Sequence, residues 1–186
     1  MLLSAGELNE NKNHQIIIRA LAKLNNPKVH YAIAGEGEKK EYLIGLANEL
    51  GVSEQVHLLG YRKDMPELNH TADVFCFPSI REGLPVSPIE AMACGLPIIA
   101  GDNRGTRDLF VNEESGGILF SPNNVDECYQ AIVDILNGDK SGMGRFNRDS
   151  VKKYSISNIL IEMKSIYENW IVNEINTHQR FKRIAG

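Results

Sequence analysis

Residues 29–51, VHYAIAGEGEKKEYLIGLANELG, contain a strand, a turn and a helix in that order. The apolar run Val29–Ala34 ends at Gly35 and predicts a buried strand. Apolar residues then recur with the spacing of one helix face, at Leu43, Leu46, Ala47 and Leu50. Gly51 ends this second segment, so the stretch is one complete strand–helix unit.

The same unit occurs on both sides of this stretch. Upstream, the run Met1–Ala5 ends at Gly6 and precedes a helical apolar pattern within residues 17–24. Downstream, four further apolar runs predict strands: Val56–Leu59, Val74–Phe77, Pro97–Ala100 and Ile118–Phe120. Helical segments separate or follow these runs. The alternation predicts a single α/β domain with a doubly wound, Rossmann-like parallel sheet.

Composition limits the classes of partner. The chain has 20 Lys and Arg against 24 Asp and Glu, which gives a net charge of −4. No overall basic field therefore favours nucleic acid or an anionic membrane, and an anionic ligand must be held locally. The three cysteines show no CxxC spacing and indicate reduced, buried thiols: Cys76, Cys94 and Cys128. With neither a signal-peptide pattern nor a membrane-spanning apolar run, we expect a cytoplasmic protein.

The loops at the carboxyl ends of the strands are the candidate ligand sites of an open parallel sheet. Gly35 and Gly37 supply only two glycines of a dinucleotide fingerprint, and Lys40 occupies the third position. A Rossmann-type oxidoreductase is therefore disfavoured. The phosphate-loop pattern GxxxxGK[ST] is absent, which argues against hydrolysis of nucleoside triphosphates.

The loop after Val74–Phe77 carries the most information. It contains Glu82 among Gly and Pro residues, and Glu90 lies eight positions later at the start of a predicted helix. A carboxylate beside a phosphate site costs energy unless it accepts hydrogen bonds, and sugar hydroxyls supply such bonds. The run Ser87–Glu90 also matches a capping box, so Glu90 is either a helix cap or a ligand. In both cases the helix N-terminus favours a bound phosphate.

Residues 78–105, PSIREGLPVSPIEAMACGLPIIAGDNRG, resemble the donor-site signature of retaining glycosyltransferases of family 4. Four other blocks fit the same family in order: AGELNENKN, YAIAGEGE, HLLGYR and ADVFCFPS. The resemblance covers residues 3–136. It implies the C-terminal, nucleotide-sugar-binding half of a GT-B fold. The N-terminal half, which binds the acceptor in this family, is then missing.

The resemblance also implies roles for residues at matching positions. Glu82 is expected to bond the hydroxyls of the donor sugar and Lys12 to neutralise the diphosphate, so these two are the expected catalytic residues. Gly83 and Leu84 are expected to offer backbone N–H groups to the sugar and the diphosphate. Glu90 is expected to bind the ribose hydroxyls.

Gly6 and Tyr61 complete the expected nucleotide-binding set, Tyr61 in the loop whose main chain contacts the base. The position after Gly6 usually holds an arginine that binds phosphate in this family, but Glu7 stands here. Either Lys12 and Arg81 share the charge, or donor binding is weaker than the family norm. Arg104 and Arg107 either face the same cleft or are solvated. The five histidines lack metal-ligand spacing, and no metal or cofactor is expected.

Residues 155–178 form a predicted terminal helix with an unusually wide apolar face. One stripe is widened by three further residues: Ile156, Leu160, Met163, Tyr167 and Ile171, then Ile159, Ile166 and Trp170. This face either lies on the chain's own sheet or is covered by something else. We expect it to cover part of the missing N-terminal domain and, in the isolated chain, to promote self-association.

These observations favour the donor-binding domain of a retaining glycosyltransferase. Such an enzyme moves a hexose from a nucleoside diphosphate sugar, UDP- or GDP-linked, to a glycan or lipid-linked acceptor in polysaccharide biosynthesis. It would act in the cytoplasm or at the inner face of the membrane, and the isolated chain would be inactive. The alternative is a module that binds a sugar nucleotide or a partner without turnover.

Overall fold

A computed structural model of the chain describes residues 1–110 and 116–184, with side chains of the last helix described to residue 171. The described residues form six strands: β1 (Leu2–Ala5), β2 (Tyr31–Ala34), β3 (Val56–Gly60), β4 (Val74–Phe77), β5 (Ile98–Gly101) and β6 (Gly117–Phe120). All pair in parallel, in the order β3-β2-β1-β4-β5-β6. The predicted doubly wound sheet is confirmed.

The same residues form eight α-helices: α1 (His14–Leu24), α2 (Lys40–Glu49), α3 (Met65–Thr71), α4 (Val86–Ala93), α5 (Arg104–Arg107), α6 (Val125–Asn137), α7 (Lys140–Ser150) and α8 (Ile156–Ile184). The chain divides into two compact units. The first, Met1–Ser150, contains the sheet and α1 to α7, and the second begins at Val151 and contains α8.

Burial explains why the strands lack an alternating pattern. Every residue of β2, β4 and β5 is buried, because helices cover both faces of the central sheet. The edge strands β3 and β6 are mostly half-buried instead. Continuous apolar runs therefore correspond to the inner strands, as the sequence predicts.

The strand order places one crevice on the carboxyl edge of the sheet. The chain moves from β1 outward to β2 and β3, then returns to the other side of β1 and continues through β4, β5 and β6. The connections after β1 and β4 therefore run to opposite faces of the sheet. Between them lies the switch point at which open α/β sheets bind ligands.

A buried chain of hydrogen bonds lies beneath this switch point. His14 Nδ1 is 3.0 Å from the Tyr31 hydroxyl, which is 2.8 Å from Ser4 Oγ. Ser4 Oγ donates to the carbonyl of Cys76 over 2.6 Å, so α1, β2, β1 and β4 are joined. Burial lowers the pKa of His14 to about 4. The backbone of Glu7 and Gly6 raises this pKa, but by a smaller amount. The imidazole is therefore neutral at physiological pH.

The cysteines are free thiols. Cys76 and Cys128 are buried and Cys94 is half-buried. Burial raises the pKa of the Cys128 thiol to about 12, and it raises the pKa of Cys76 and Cys94 as well. The expectation of reduced thiols fits this structure, with Cys94 more exposed than expected.

In the second unit, the single long helix α8 extends beyond the predicted residues 155–178. Its apolar side chains up to residue 171 are exposed, with Trp170 at 62% and Ile166 at 66% of full exposure. The predicted contact of this face with a missing domain stays a prediction. Within the described ranges, no helix combines the length and hydropathy that a membrane span requires.

Candidate functional site

An ion pair joins the two loops at the switch point. Lys12, in the loop between β1 and α1, donates from Nζ to Glu82 Oε1 over 2.7 Å. Both side chains are largely sheltered, at 23% and 17% exposure. The ammonium also lies 5.1 Å from the centre of the Phe77 ring. The two residues that the sequence analysis predicts to be catalytic are therefore in direct contact.

Glycines bring the loops after β1 and β2 together. A Cβ on Gly6 would lie 3.3 Å from Lys12 Cδ, so the lysine stem packs against the bare backbone. A Cβ on Gly35 would lie 1.9 Å from the Gly6 carbonyl oxygen. Gly35 is therefore required for close packing of the two loops, a role beyond the two that its sequence position indicates, the end of a strand and part of a nucleotide fingerprint.

The loop after β4 ends differently from the prediction. Helix α4 begins at Val86 after Pro85, which adopts an extended conformation and makes no side-chain cap. Ser87 therefore lies inside the first turn, and the predicted capping box between Ser87 and Glu90 is wrong. The residue at the N-cap position of the helix is Pro85, two residues before Ser87. Glu90 is exposed on α4.

The loop after β5 supports the loop after β4. Asn103 caps α5 in a reciprocal capping box with Thr106 and also donates from Nδ2 to the Ser79 carbonyl over 2.9 Å. A Cβ on Gly105 would lie 1.9 Å from the carbonyl oxygen of Gly83. The backbone of Gly83 therefore packs directly against α5.

Two cavities open at this edge of the sheet. One, of about 370 Å³, is lined by Glu82, Gly83, Leu84, Arg104 and Asp108. The other, of about 340 Å³, is lined by residues from the ends of three strands: Ala5, Gly6, Glu7, Ala34, Gly35, Glu36, Tyr61, Arg62 and Met65. Lys12 connects the two, because its stem contacts Gly6 and its ammonium contacts Glu82.

The predicted site residues are distributed between the two cavities. Glu82, Gly83 and Leu84 line the first cavity, and Gly6 and Tyr61 line the second. Glu90 lines neither. A further cavity of about 410 Å³ lies at the amino ends of β4 and β5 and contains none of the predicted residues, so volume alone does not locate the site.

The structure separates the candidate cations. Arg104 lines the first cavity. Arg107 instead pairs with Asp102, with Nε 2.5 Å from Oδ1, and this carboxylate raises the pKa of the guanidinium. The Arg81 side chain is exposed. Glu7 accepts a hydrogen bond from Asn9 Nδ2 over 3.0 Å and lines the second cavity.

Two residues that the sequence does not reveal, Asn11 and Asn103, hydrogen-bond through their side chains to the backbone of the loop after β4. No local pattern identifies such contacts, because their partners lie 70 and 24 residues away. In the part of the chain that the structure describes, no group of three or more His, Cys, Asp or Glu is arranged to hold a metal ion.

Comparison with known families decides the identity of this fold. The family model described as "Glycosyl transferases group 1" matches residues 1–153. The chain belongs to this family. Membership is compatible with the narrower resemblance to retaining family 4.

Two named relatives of this glycosyl transferase domain have names that include a sugar linked to a lipid. A Campylobacter jejuni N-acetylgalactosamine-N,N'-diacetylbacillosaminyl-diphospho-undecaprenol 4-alpha-N-acetylgalactosaminyltransferase is 34% identical over 75% of this chain and 38% of its own length. An Escherichia coli UDP-Gal:alpha-D-GlcNAc-diphosphoundecaprenol alpha-1,3-galactosyltransferase is 30% identical over 80% and 39%. The putative Bacillus subtilis glycosyltransferase EpsD is 32% identical over 92% and 46%. The chain thus spans less than half the length of these relatives.

Solved structures agree on the fold. Anabaena HepE, crystallised with UDP and glucose, has a TM-score of 0.79 and 24% identity over 91% of this chain and 47% of its own. The C-terminal domain of LpcC from Francisella tularensis has a TM-score of 0.74 and 18% identity over 83% and 86%. The domain therefore has the architecture of the C-terminal domain of GT-B glycosyltransferases, as the resemblance implies.

Proposed function

We propose that this domain binds the nucleotide-sugar donor of a retaining glycosyltransferase, which moves a hexose from a UDP- or GDP-linked donor to a glycan or lipid-linked acceptor. The observation that carries the proposal is the Lys12–Glu82 pair at the switch point of the sheet. It places a cation and a hydrogen-bond acceptor side by side, which suits a diphosphate joined to a polyhydroxylated sugar.

Lys12 is the residue that binds the diphosphate in this proposal. An ammonium has three N–H donors, so Lys12 can keep its bond to Glu82 and still contact phosphate oxygens. The N-terminus of α4 adds backbone N–H groups and the positive end of a helix dipole. Arg104, which lines the first cavity, supplies a second cation, whereas Glu7 lines the second cavity at the position where the family usually has an arginine. Together these groups stabilise the diphosphate as it leaves the sugar.

Glu82 binds the donor sugar and orients it. Its carboxylate accepts hydrogen bonds from sugar hydroxyls, while the backbone N–H groups of Gly83 and Leu84 face the sugar and the diphosphate. Because the Glu82–Gly83 segment is supported by Lys12 and by α5, the carboxylate is oriented before the donor arrives. The main chain near Tyr61 contacts the base in the second cavity, and Glu90 binds the ribose.

The acceptor side lies outside this chain. Transfer requires donor and acceptor to be held together across a cleft, and the chain spans less than half of its named relatives. We therefore assign the acceptor to an N-terminal half that α8 contacts. The names of the C. jejuni and E. coli relatives include undecaprenol diphosphate, which favours a lipid-linked acceptor at the cytoplasmic face of the membrane.

Calorimetry on the purified chain tests the donor site. UDP and GDP are titrated in the presence of a chelator, with NAD as a comparison ligand. We expect UDP or GDP to bind without metal, and Lys12→Met to weaken binding at least about tenfold, because charge-assisted hydrogen bonds contribute about 1.5–3 kcal/mol. Lys28→Met, which removes an exposed lysine outside the site, is the matched control and should change nothing.

Inorganic pyrophosphate separates the subsites. Glu90→Gln should weaken UDP binding and leave pyrophosphate binding unchanged, whereas Lys12→Met should weaken both. Absence of binding by every nucleoside diphosphate at millimolar concentration would refute the donor-site assignment, and tight NAD binding would support an oxidoreductase. The chain alone should transfer no sugar to any acceptor, and robust transfer would contradict the proposed need for a second half.

A further inference from the structure

Asn11 makes a two-point contact with the backbone of the loop after β4. Its Nδ2 donates to the Arg81 carbonyl over 3.0 Å, and its Oδ1 accepts from the Arg81 N–H over 3.1 Å. The Asn11 carbonyl also accepts from the N–H of Ile80 over 2.8 Å. One half-buried residue therefore satisfies three backbone groups of a segment that belongs to no helix or strand.

We propose that Asn11 is a positioning residue, which sets the separation of Lys12 and Glu82 and holds both in the geometry that binds the donor diphosphate. The proposal rests on the donor-binding function argued above. Asn11 and Arg81 directly precede Lys12 and Glu82 in the chain, so fixing one pair of neighbours fixes the other. The 2.7 Å ion pair is the result.

The chemistry of the contact requires an amide. A carboxylate at residue 11 would accept from the Arg81 N–H but would repel its carbonyl oxygen, and an alanine would leave both groups to water. A glutamine would keep donor and acceptor on a stem one methylene longer. The contact therefore constrains residue 11 although its side chain is not assigned to the ligand.

A second asparagine contacts the first residue of the same loop. Asn13 donates from Nδ2 to the carbonyls of Pro78 and Pro122, over 3.3 and 2.8 Å. Its left-handed conformation, with φ of 53°, reverses the chain directly before α1. Lys12 is thus placed between two residues that bind the loop carrying its partner. Asn13 is nearly fully buried, so Asn11 is the better position for a test.

Two measurements on the full chain test the proposal. In the ligand-free protein, Asn11→Ala should accelerate hydrogen exchange of the Arg81 amide about tenfold, because its acceptor is lost. In calorimetry, Asn11→Ala should weaken UDP binding about tenfold. The UDP affinity of Asn11→Gln should lie between those of Asn11→Ala and the original protein. Asn137→Ala, at an exposed position at the end of α6, is the control and should match the original protein in both measurements.

A double substitution distinguishes positioning from general support of the fold. If Asn11 acts through Lys12, Asn11→Ala added to Lys12→Met should change UDP affinity less than about twofold. A full additional loss in that background would overturn the proposal, as would normal UDP affinity in Asn11→Ala despite faster exchange at Arg81. If the original chain binds neither UDP nor GDP, the donor-binding function itself fails, and this role for Asn11 fails with it.

Discussion

Helices α1 and α8 have similar apolar faces and opposite surroundings. In α1, the apolar face is fully covered by its own domain: Ile16, Ile17, Ile18, Ala20 and Leu21 are buried. In α8, apolar side chains of the same types are exposed, and Ile156 reaches 78%. An amphipathic pattern therefore identifies a helix and the face it will bury, but it does not identify the partner.

The partner of α1 is visible in its polar contacts as well as in the core. Lys23, in the last turn of α1, forms an ion pair with Asp126 of α6 and lies 5.0 Å from the ring centre of Tyr129. These polar contacts between α1 and α6 lie beside the buried apolar face of α1. On α8, within the side chains described to residue 171, Lys164 pairs with Glu168 of the same helix instead.

The largest expected effect comes from equal truncations in the two helices. Leu21→Ala should lower the free energy of unfolding by about 2–5 kcal/mol, because it opens a cavity in a closed core. Ile166→Ala should change it by less than about 0.5 kcal/mol, because the side chain is already exposed. Denaturant unfolding of both variants measures the contrast. Equal losses would show that the two faces are covered alike.

A smaller effect is expected from the buried imidazole at the start of α1. The folded pKa of His14, about 4, lies below the ordinary value, so the unfolded chain takes up the proton first as pH falls. Stability should therefore decrease between about pH 6.5 and 4, by on the order of 3 kcal/mol in total. Denaturant unfolding at several pH values should show this dependence reduced in His14→Gln. The exposed His70→Gln is the control, and an equal reduction there would contradict the assignment.

The smallest effect on stability, and the one specific to α8, concerns self-association. Trp170→Glu should leave the free energy of unfolding unchanged within about 0.5 kcal/mol. We expect the original chain to self-associate as its concentration rises and the variant to remain monomeric, because a charge then interrupts the apolar face. Sedimentation velocity measures this difference. Asn169→Glu adds the same charge one residue away, and an equal effect there would implicate net charge rather than the apolar face.

The sequence predicts most of the fold because the inner strands are short, mostly apolar and bounded by glycine or polar loops. All six predicted strands occur within a residue or two of their expected limits. The start of α4 was mispredicted at Ser87 because its local pattern matches a cap. In the structure, Pro85 is extended and the helix begins directly after it at Val86, so Ser87 lies inside the helix and not at its cap.

The site could be predicted only where it resembles a known family. Lys12 and Glu82 are 70 residues apart, and no spacing rule joins them. Their contact depends on the strand order, which places β1 beside β4. Asn11 and Asn103 were missed because each binds backbone groups of a distant loop, and backbone partners are invisible in a sequence of side chains.

The contact between Gly35 and Gly6 limits how this domain can be redesigned. Its loops meet through main-chain atoms, so a saturation library at Gly35 would consist almost entirely of variants that do not fold correctly. Variation in the second cavity must therefore come from neighbours whose side chains line it, such as Glu7, Glu36 and Tyr61. Natural variants that alter the lining of this cavity would follow the same route, with the glycines unchanged and different side chains at its rim.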